Sequence, residues 1–145
     1  MGPKVREHMT GRPRCVTPET RVSEAAELMA SEDVGSLPVL DGDRVTGVIT
    51  DRDIVVRAVA MKKDTQGMPV RDIASSDPVT VRADDDLSDA LKLMAAHQVR
   101  RLPVVDEHDQ LVGVIAQADV AMAAKEKDVG GMVEEISQMP TGPRV

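Results

Sequence analysis

The alternation of apolar and polar positions along this chain is laid down twice. Val22, Ala25, Ala26 and Met29 fall at i, i+3, i+4 and i+7, one apolar face of a helix, and Leu87, Ala90, Leu91 and Met94 repeat that spacing. Two short runs rich in β-branched residues follow the first helix, at 37–40 and 45–50, with the turn sequence Asp41-Gly42-Asp43 between them. Their counterparts lie at 102–105 and 111–116. A second helix is predicted after each pair of strands, over about 51–61 and 117–127, and a short extended segment before each first helix, at 15–17 and 79–82. Thr20 and Asp85 stand just ahead of the first helices, where a side-chain oxygen can accept from an unpaired N–H of the first turn.

The two halves align residue by residue. At an offset of 65, Val5-Arg6 meets Val70-Arg71, Pro13 meets Pro78, Val16 meets Val81, and Leu37-Pro38-Val39 meets Leu102-Pro103-Val104. One extra residue near Glu107-His108 changes the offset to 66, after which Gly47-Val48-Ile49 meets Gly113-Val114-Ile115 and Asp53 meets Asp119. Each repeat therefore reads strand, helix, strand, strand, helix, an α+β arrangement. A three-stranded sheet with one helix pair leaves a face uncovered, so the two repeats are expected to pack about a pseudo-twofold axis into one globule. The expected boundaries are 5–62 for the first repeat, 63–69 for a connector, 70–127 for the second repeat and 128–145 for a tail with a short helix around 132–136.

Composition narrows the function more than the fold. The chain has 145 residues, 41% hydrophobic and 30% charged, an ordinary globular balance. A net charge of -7 argues against nucleic acid, whose phosphates are bound through Lys and Arg. Phe, Trp and Tyr are absent, so no base can stack on an aromatic ring, and any flat ligand ring has to lie between aliphatic side chains. The nine Met residues read as core filler in a chain without aromatics. One cysteine, no apolar leader at the N-terminus and no apolar run of spanning length give a cytoplasmic expectation with no membrane partner. His8, His97, His108 and Cys15 match no close metal-ligand spacing, and no metal site is expected.

The chemistry is concentrated where strand passes into helix. In Gly47-Val48-Ile49-Thr50-Asp51-Arg52-Asp53, Thr50 and Asp53 have the spacing of a capping box. The same geometry suits a ligand: a helix start attracts phosphate, the Thr50 hydroxyl can donate to it, and the Asp53 carboxylate can accept from both hydroxyls of a ribose. The second copy, Gly113-Val114-Ile115-Ala116-Gln117-Ala118-Asp119, loses the hydroxyl and keeps the acid. That retention tilts the reading towards ribose, since a lone acid in that turn contributes only about 0.3–1 kcal/mol through the helix dipole. Arg100-Arg101 stands where the first repeat has Gly35-Ser36, so the positive charge available to phosphate is lopsided. At most one of those two arginines is expected to face a cleft, because neighbours on a strand point to opposite faces.

The paired run Gly-apolar-apolar-Thr-x-x-Asp, inside repeats that match over about 5–127, resembles the cystathionine-beta-synthase-type (CBS) domain family, in particular its small standalone bacterial members. The resemblance implies a regulatory module without catalytic residues or a required cofactor, binding AMP, ADP, ATP or S-adenosylmethionine between paired repeats. It implies a homodimer and an unidentified regulated protein. Carried over by position, it implies Asp53 for ribose and Thr50 for phosphate, Cys15, Val16 and Thr17 lining the adenine through backbone groups, and Gly35, Ser36, Leu37 and Pro38 along the cleft. For a second site it implies Asp119, Thr80, Val81, Arg100, Arg101, Leu102 and Pro103. The alternative is a ligand-free dimerisation or interaction scaffold, with Ile54, Val55, Ala58, Val59, Val120, Ala121 and Ala124 offering apolar helix faces.

Overall fold

The computed structural model describes residues 2–127. In chain order the elements are α1 (Val5–His8), α2 (Val22–Glu32), β1 (Ser36–Asp41), β2 (Arg44–Thr50), α3 (Asp51–Asp53), β3 (Val81–Arg82), α4 (Leu87–His97), β4 (Arg101–Val105), β5 (Leu111–Ala116) and α5 (Gln117–Lys127). Helix α3 runs on into a wider turn over Ile54–Val59, closed by i→i−5 bonds such as Ala60 N–H to Val55 O at 2.8 Å. The short helix expected at 132–136 lies outside the described residues.

Two compact units divide the chain, and they are cut at different places from the sequence repeats. One unit is Pro13–Pro78; the other joins the N-terminal residues up to Arg12 to the described residues from Val79. Each unit thus completes itself with a segment that belongs, by sequence, to the other repeat.

In the Pro13–Pro78 unit, β1 and β2 pair antiparallel, and Val16 bridges β1 in parallel at Val39. Its core is Val16, Val22, Ala25, Met29, Leu37, Val39, Ile49, Ile54, Ala58, Val70 and Ile73. The other unit repeats this plan with β3 parallel to β4 and β4 antiparallel to β5. Its core holds the counterparts Val5, Val81, Leu87, Ala90, Met94, Leu102, Val104, Ile115 and Val120. The repeat register is therefore a packing register. His8 occupies the position of Ile73, and its Nε2 is buried with no hydrogen-bond partner among the described residues.

The borrowed segments dock in the same way, atom for atom. The first-turn N–H of α2, at Val22, donates to Met68 O at 2.9 Å, and that of α4, at Leu87, donates to Pro3 O at 2.9 Å. Val70 N–H donates to Thr20 O and Val5 N–H to Asp85 O; Arg71 N–H donates to Pro18 O and Arg6 N–H to Ala83 O. Ion pairs follow suit, Arg71 with Glu19 and Arg6 with Asp84. Lys4 adds a contact to Asp86 at 2.8 Å, which holds the Asp86 carboxyl below its ordinary range and raises Lys4. These exposed pairs contribute little stability and chiefly fix register. The ends of the segments then extend each sheet: Ser75 exchanges two hydrogen bonds with Val48, and Thr10 exchanges two with Val114.

Backbone carbonyls thus satisfy helix starts that Thr20 and Asp85 were expected to cap. The two side chains instead close the preceding turn, accepting from Thr17 N–H and Arg82 N–H, each at 3.0 Å. The helix boundary falls one residue later, at Arg21 and Asp86, and neither residue makes a side-chain cap bond. The expectation that methionines fill the core holds for Met29 and Met94, but Met61 and Met122 lie exposed.

Gly47 and Gly113 are required by the docked segments. A Cβ on Gly47 would collide with Ser75 O, and one on Gly113 with Thr10 O. Gly113→Ala is expected to lower unfolding stability by about 1–3 kcal/mol, the usual cost of forced displacement in a packed site. Gly11→Ala, with open space around it, should stay within about 0.5 kcal/mol of wild type in the same denaturant titration. Helices α2 and α4 both end in a left-handed residue that is not glycine, Asp33 (φ 55°) and Gln98 (φ 54°). Gln98→Gly relieves that backbone cost and is expected to raise stability by up to about 1 kcal/mol, read from the midpoint of thermal unfolding.

Candidate functional site

Both helix starts singled out by the sequence carry a carboxylate turned back onto the backbone. Thr50 N–H donates to Asp53 Oδ2 at 3.0 Å, and Asp53 N–H donates to Thr50 Oγ1 at 2.9 Å. This is a complete capping box. In the second copy Ala116 N–H donates to Asp119 Oδ2 at 2.7 Å, the half of the box that needs no hydroxyl. The retained Asp119 therefore has a structural reason, and the inference that capping alone would not call for it is corrected. The helix starts are closed further by the carbonyls just ahead of the strands: Asp51 N–H donates to Gly35 O at 2.9 Å and Gln117 N–H to Arg100 O at 2.8 Å.

Capping uses only one oxygen of each carboxylate. Asp53 Oδ1 faces Arg57 Nε at 3.8 Å, and the Asp53 side chain is 16% exposed. The oxygen of the Thr50 hydroxyl accepts from Asp53, which leaves its proton to donate outward. Arg100 presents a different feature. It is half-buried, and its Nε is shut off from solvent without a hydrogen-bond partner among the described residues. A buried guanidinium N–H without an acceptor is costly, and the cost disappears when an anion supplies one. Because the Arg100 carbonyl closes the helix that carries Asp119, this cation and that carboxylate are tied to one backbone junction.

The remaining expected residues are placed as follows. Leu37, Pro38, Leu102 and Pro103 are buried in β1 and β4, where they serve the core, and Ser36 pairs with Thr50 at the end of the β1–β2 ladder. Arg101 opens β4 opposite Ala116 and is half-buried, as is Thr80. Val16 and Val81 are core residues. The expected role of backbone groups around Cys15, Val16 and Thr17 is narrowed. Val16 N–H donates to Pro38 O, Val16 O accepts from Leu40 N–H, and Thr17 N–H is held by Thr20. Those two N–H groups are committed to the sheet and turn and are not free for a base edge. The Cys15 thiol contacts Pro13 O at 3.1 Å. Among the described residues no three of His, Cys, Asp and Glu come together as a metal site, and no helix is long and apolar enough to cross a membrane.

Comparison with known proteins bears on this doubled architecture. The family model for the CBS domain matches twice, over residues 5–59 and 70–126. The chain belongs to the CBS domain family. Its CBS pair is 39% identical over 127 residues to the CBS domain-containing protein YhcV of Bacillus subtilis, covering 88% of this chain and 89% of that protein. It is 35% identical over 132 residues to hypoxic response protein 1 of Mycobacterium tuberculosis, covering 90% and 92%. A crystal structure of Hypoxic Response Protein I with two coordinated zinc ions matches at a TM-score of 0.75 and 35% identity, over 82% of this chain and 97% of that one. A crystal structure of CBSX2 in complex with AMP matches at a TM-score of 0.75 and 34% identity, over 86% and 98%.

In a CBS pair read this way, the motif acid has a structural duty besides any ligand. Asp53→Ala removes the acceptor of the Thr50 N–H, and the loss is expected to lower unfolding stability by about 1 kcal/mol without ligand present, as for other N-terminal cap deletions. Denaturant titration of the ligand-free protein measures it.

Proposed function

We propose that this CBS pair is a non-catalytic regulatory module that binds an adenosine-containing ligand as a homodimer, and reports the bound state to a separate protein. The observation that carries the reading is the Arg100 guanidinium with its buried, unpartnered Nε, anchored at the junction that also positions the Asp119 carboxylate. A cation for phosphate and a carboxylate for ribose hydroxyls are the two polar demands of an adenine nucleotide. The base itself finds aliphatic side chains, the only apolar surface that a chain without Phe, Trp or Tyr provides. CBSX2, a relative matched over nearly its whole length, carries AMP in its crystal structure, which supports the same ligand class here. No nucleophile paired with a base accompanies the motif in either repeat, which favours sensing over catalysis.

The two motifs offer unequal sites. The one built on Thr50 and Asp53 supplies a hydroxyl and an acid, with Gly35-Ser36 adding no charge. The one built on Asp119 lacks the hydroxyl at Ala116 and has Arg100 and Arg101 instead. A phosphate-rich nucleotide suits the second, and S-adenosylmethionine or AMP the first. The effect of either ligand is a shift between two arrangements, limited by its difference in affinity for them.

A ligand-free scaffold is the second reading, favoured by one fact: the box at Thr50 and the half-box at Asp119 are satisfied without any ligand. Isothermal titration with AMP, ADP, ATP and S-adenosylmethionine separates the two. Binding by the wild type is expected, with Arg100→Gln weakening ATP by about 1.5–3 kcal/mol, the worth of a hydrogen bond to a charged group, and leaving S-adenosylmethionine nearly unchanged. Heat from none of the four at millimolar ligand would establish the scaffold reading.

A further inference from the structure

We propose that Arg57 is a built-in competitor for the second oxygen of Asp53, a positioning residue that sets how tightly the first motif holds a ribose. The inference rests on the adenosine-ligand reading above and adds what limits the affinity of that site. Of the two Asp53 oxygens, Oδ2 accepts from the Thr50 N–H at 3.0 Å, and Oδ1 has the Arg57 Nε at 3.8 Å. A ribose hydroxyl that donates to Asp53 therefore has Oδ1 to itself only when the guanidinium gives way. At 3.8 Å the two charges attract without a hydrogen bond, so the pair is weak enough to yield.

An acid and a base four residues apart on a helix often pair with no function attached. Three features set this pair apart. The far end of the guanidinium is anchored, because Arg57 Nη1 donates to the carbonyl of Ile73 at 3.3 Å, and Ile73 is a core residue of the docked segment that ends at Ser75. Arg57 also lies in the wide turn over Ile54–Val59, and such turns interrupt α-helices chiefly at functional sites. The second repeat, finally, has nothing of the kind. At the offset of 66 Arg57 meets Ala123, which is fully buried, and α5 carries no Lys or Arg from Gln117 to Ala124.

A hydroxyl that donates to Oδ1 gains a charge-assisted hydrogen bond and deprives the carboxylate of part of its attraction to Arg57. The net gain from the ribose is smaller than at a bare acid. The first site therefore fills at a higher ligand concentration than its motif alone would set. Because the Ile73 carbonyl anchors the guanidinium, that affinity is also tied to the docking of the segment on β2, where Ser75 exchanges hydrogen bonds with Val48. The second motif has no such competitor on its helix.

The test is an NMR titration of the full-length protein with adenosine, which is uncharged and carries both ribose hydroxyls, and with 2′,3′-dideoxyadenosine, which lacks them. The Thr50 and Ala116 amides, each bonded to its motif acid, report the two sites separately. At Thr50, Arg57→Gln should tighten adenosine about two- to fivefold, the range open to a partly exposed ion pair, and leave the dideoxy compound unchanged. At Ala116 neither affinity should move. Arg57→Lys keeps the charge and should behave as wild type, and thermal unfolding of both variants checks that the fold is intact. A merely structural role for Arg57 would move both nucleosides alike. Should adenosine bind too weakly to measure, AMP against 2′,3′-dideoxy-AMP gives the same ratio. Adenosine binding at Thr50 that weakens or stays the same in Arg57→Gln, or an equal gain for both nucleosides, overturns the inference alone. Failure of adenosine and AMP alike to shift either amide at millimolar concentration overturns the adenosine-ligand reading and this inference together.

Discussion

Each half of this protein depends on a strap of about eight residues that the other repeat's sequence supplies. Pro3 to Thr10 in one unit and Met68 to Ser75 in the other satisfy a helix start, fill the core with Val5 or Val70, and extend the sheet at its open side. Without the strap, the first-turn N–H groups of α2 and α4 would lose their acceptors, and β2 and β5 would present unpaired edges. Gly47 and Gly113 are part of the same constraint, because the strap's backbone lies where their side chains would be. Strap, helix start and glycine form one unit of design, and it is installed twice.

The site inherits its geometry from this frame. Once the sheet is closed, β2 and β5 end at fixed points, and the chain turns into the next helix with Thr50 or Ala116 as its cap. The acid three residues on is then pulled back onto the backbone, so the second oxygen of Asp53 or Asp119 has its orientation fixed by the protein itself. Preorganisation of this kind lowers the entropy lost on binding. Under the proposed function the same carboxylate would hold the helix start and meet the ligand, so that binding and local order would share one residue.

Much of this was legible in the sequence. The repeat register placed the strands and helices closely, because most core positions recur with the same residue type, His8 against Ile73 being an exception, and the family resemblance rested on that register. The exchange of straps could not be read. Val5-Arg6 and Val70-Arg71 are identical pairs, so the sequence looks the same whether each docks on its own repeat or on the other. The capping assignments for Thr20 and Asp85 missed by one residue for a related reason: the acceptors for the helix start come from a distant carbonyl, which no local pattern announces. The weight given to Asp119 as a sign of ribose overlooked that an acid can cap without its hydroxyl partner. Arg100 was noticed for its charge, while its stranded Nε depends on the packing around it and is visible only in three dimensions.

The strap has a consequence for how the chain comes off the ribosome. Thr10 finds its partner at Val114, 104 residues later, so the segment up to Thr10 must wait for that stretch to be synthesised before it can settle. The Pro13–Pro78 unit meets no such delay, since its own strap follows directly after its second helix. Folding during translation therefore runs in an unusual order, with the Pro13–Pro78 unit finished before the segment that precedes it in the chain can dock.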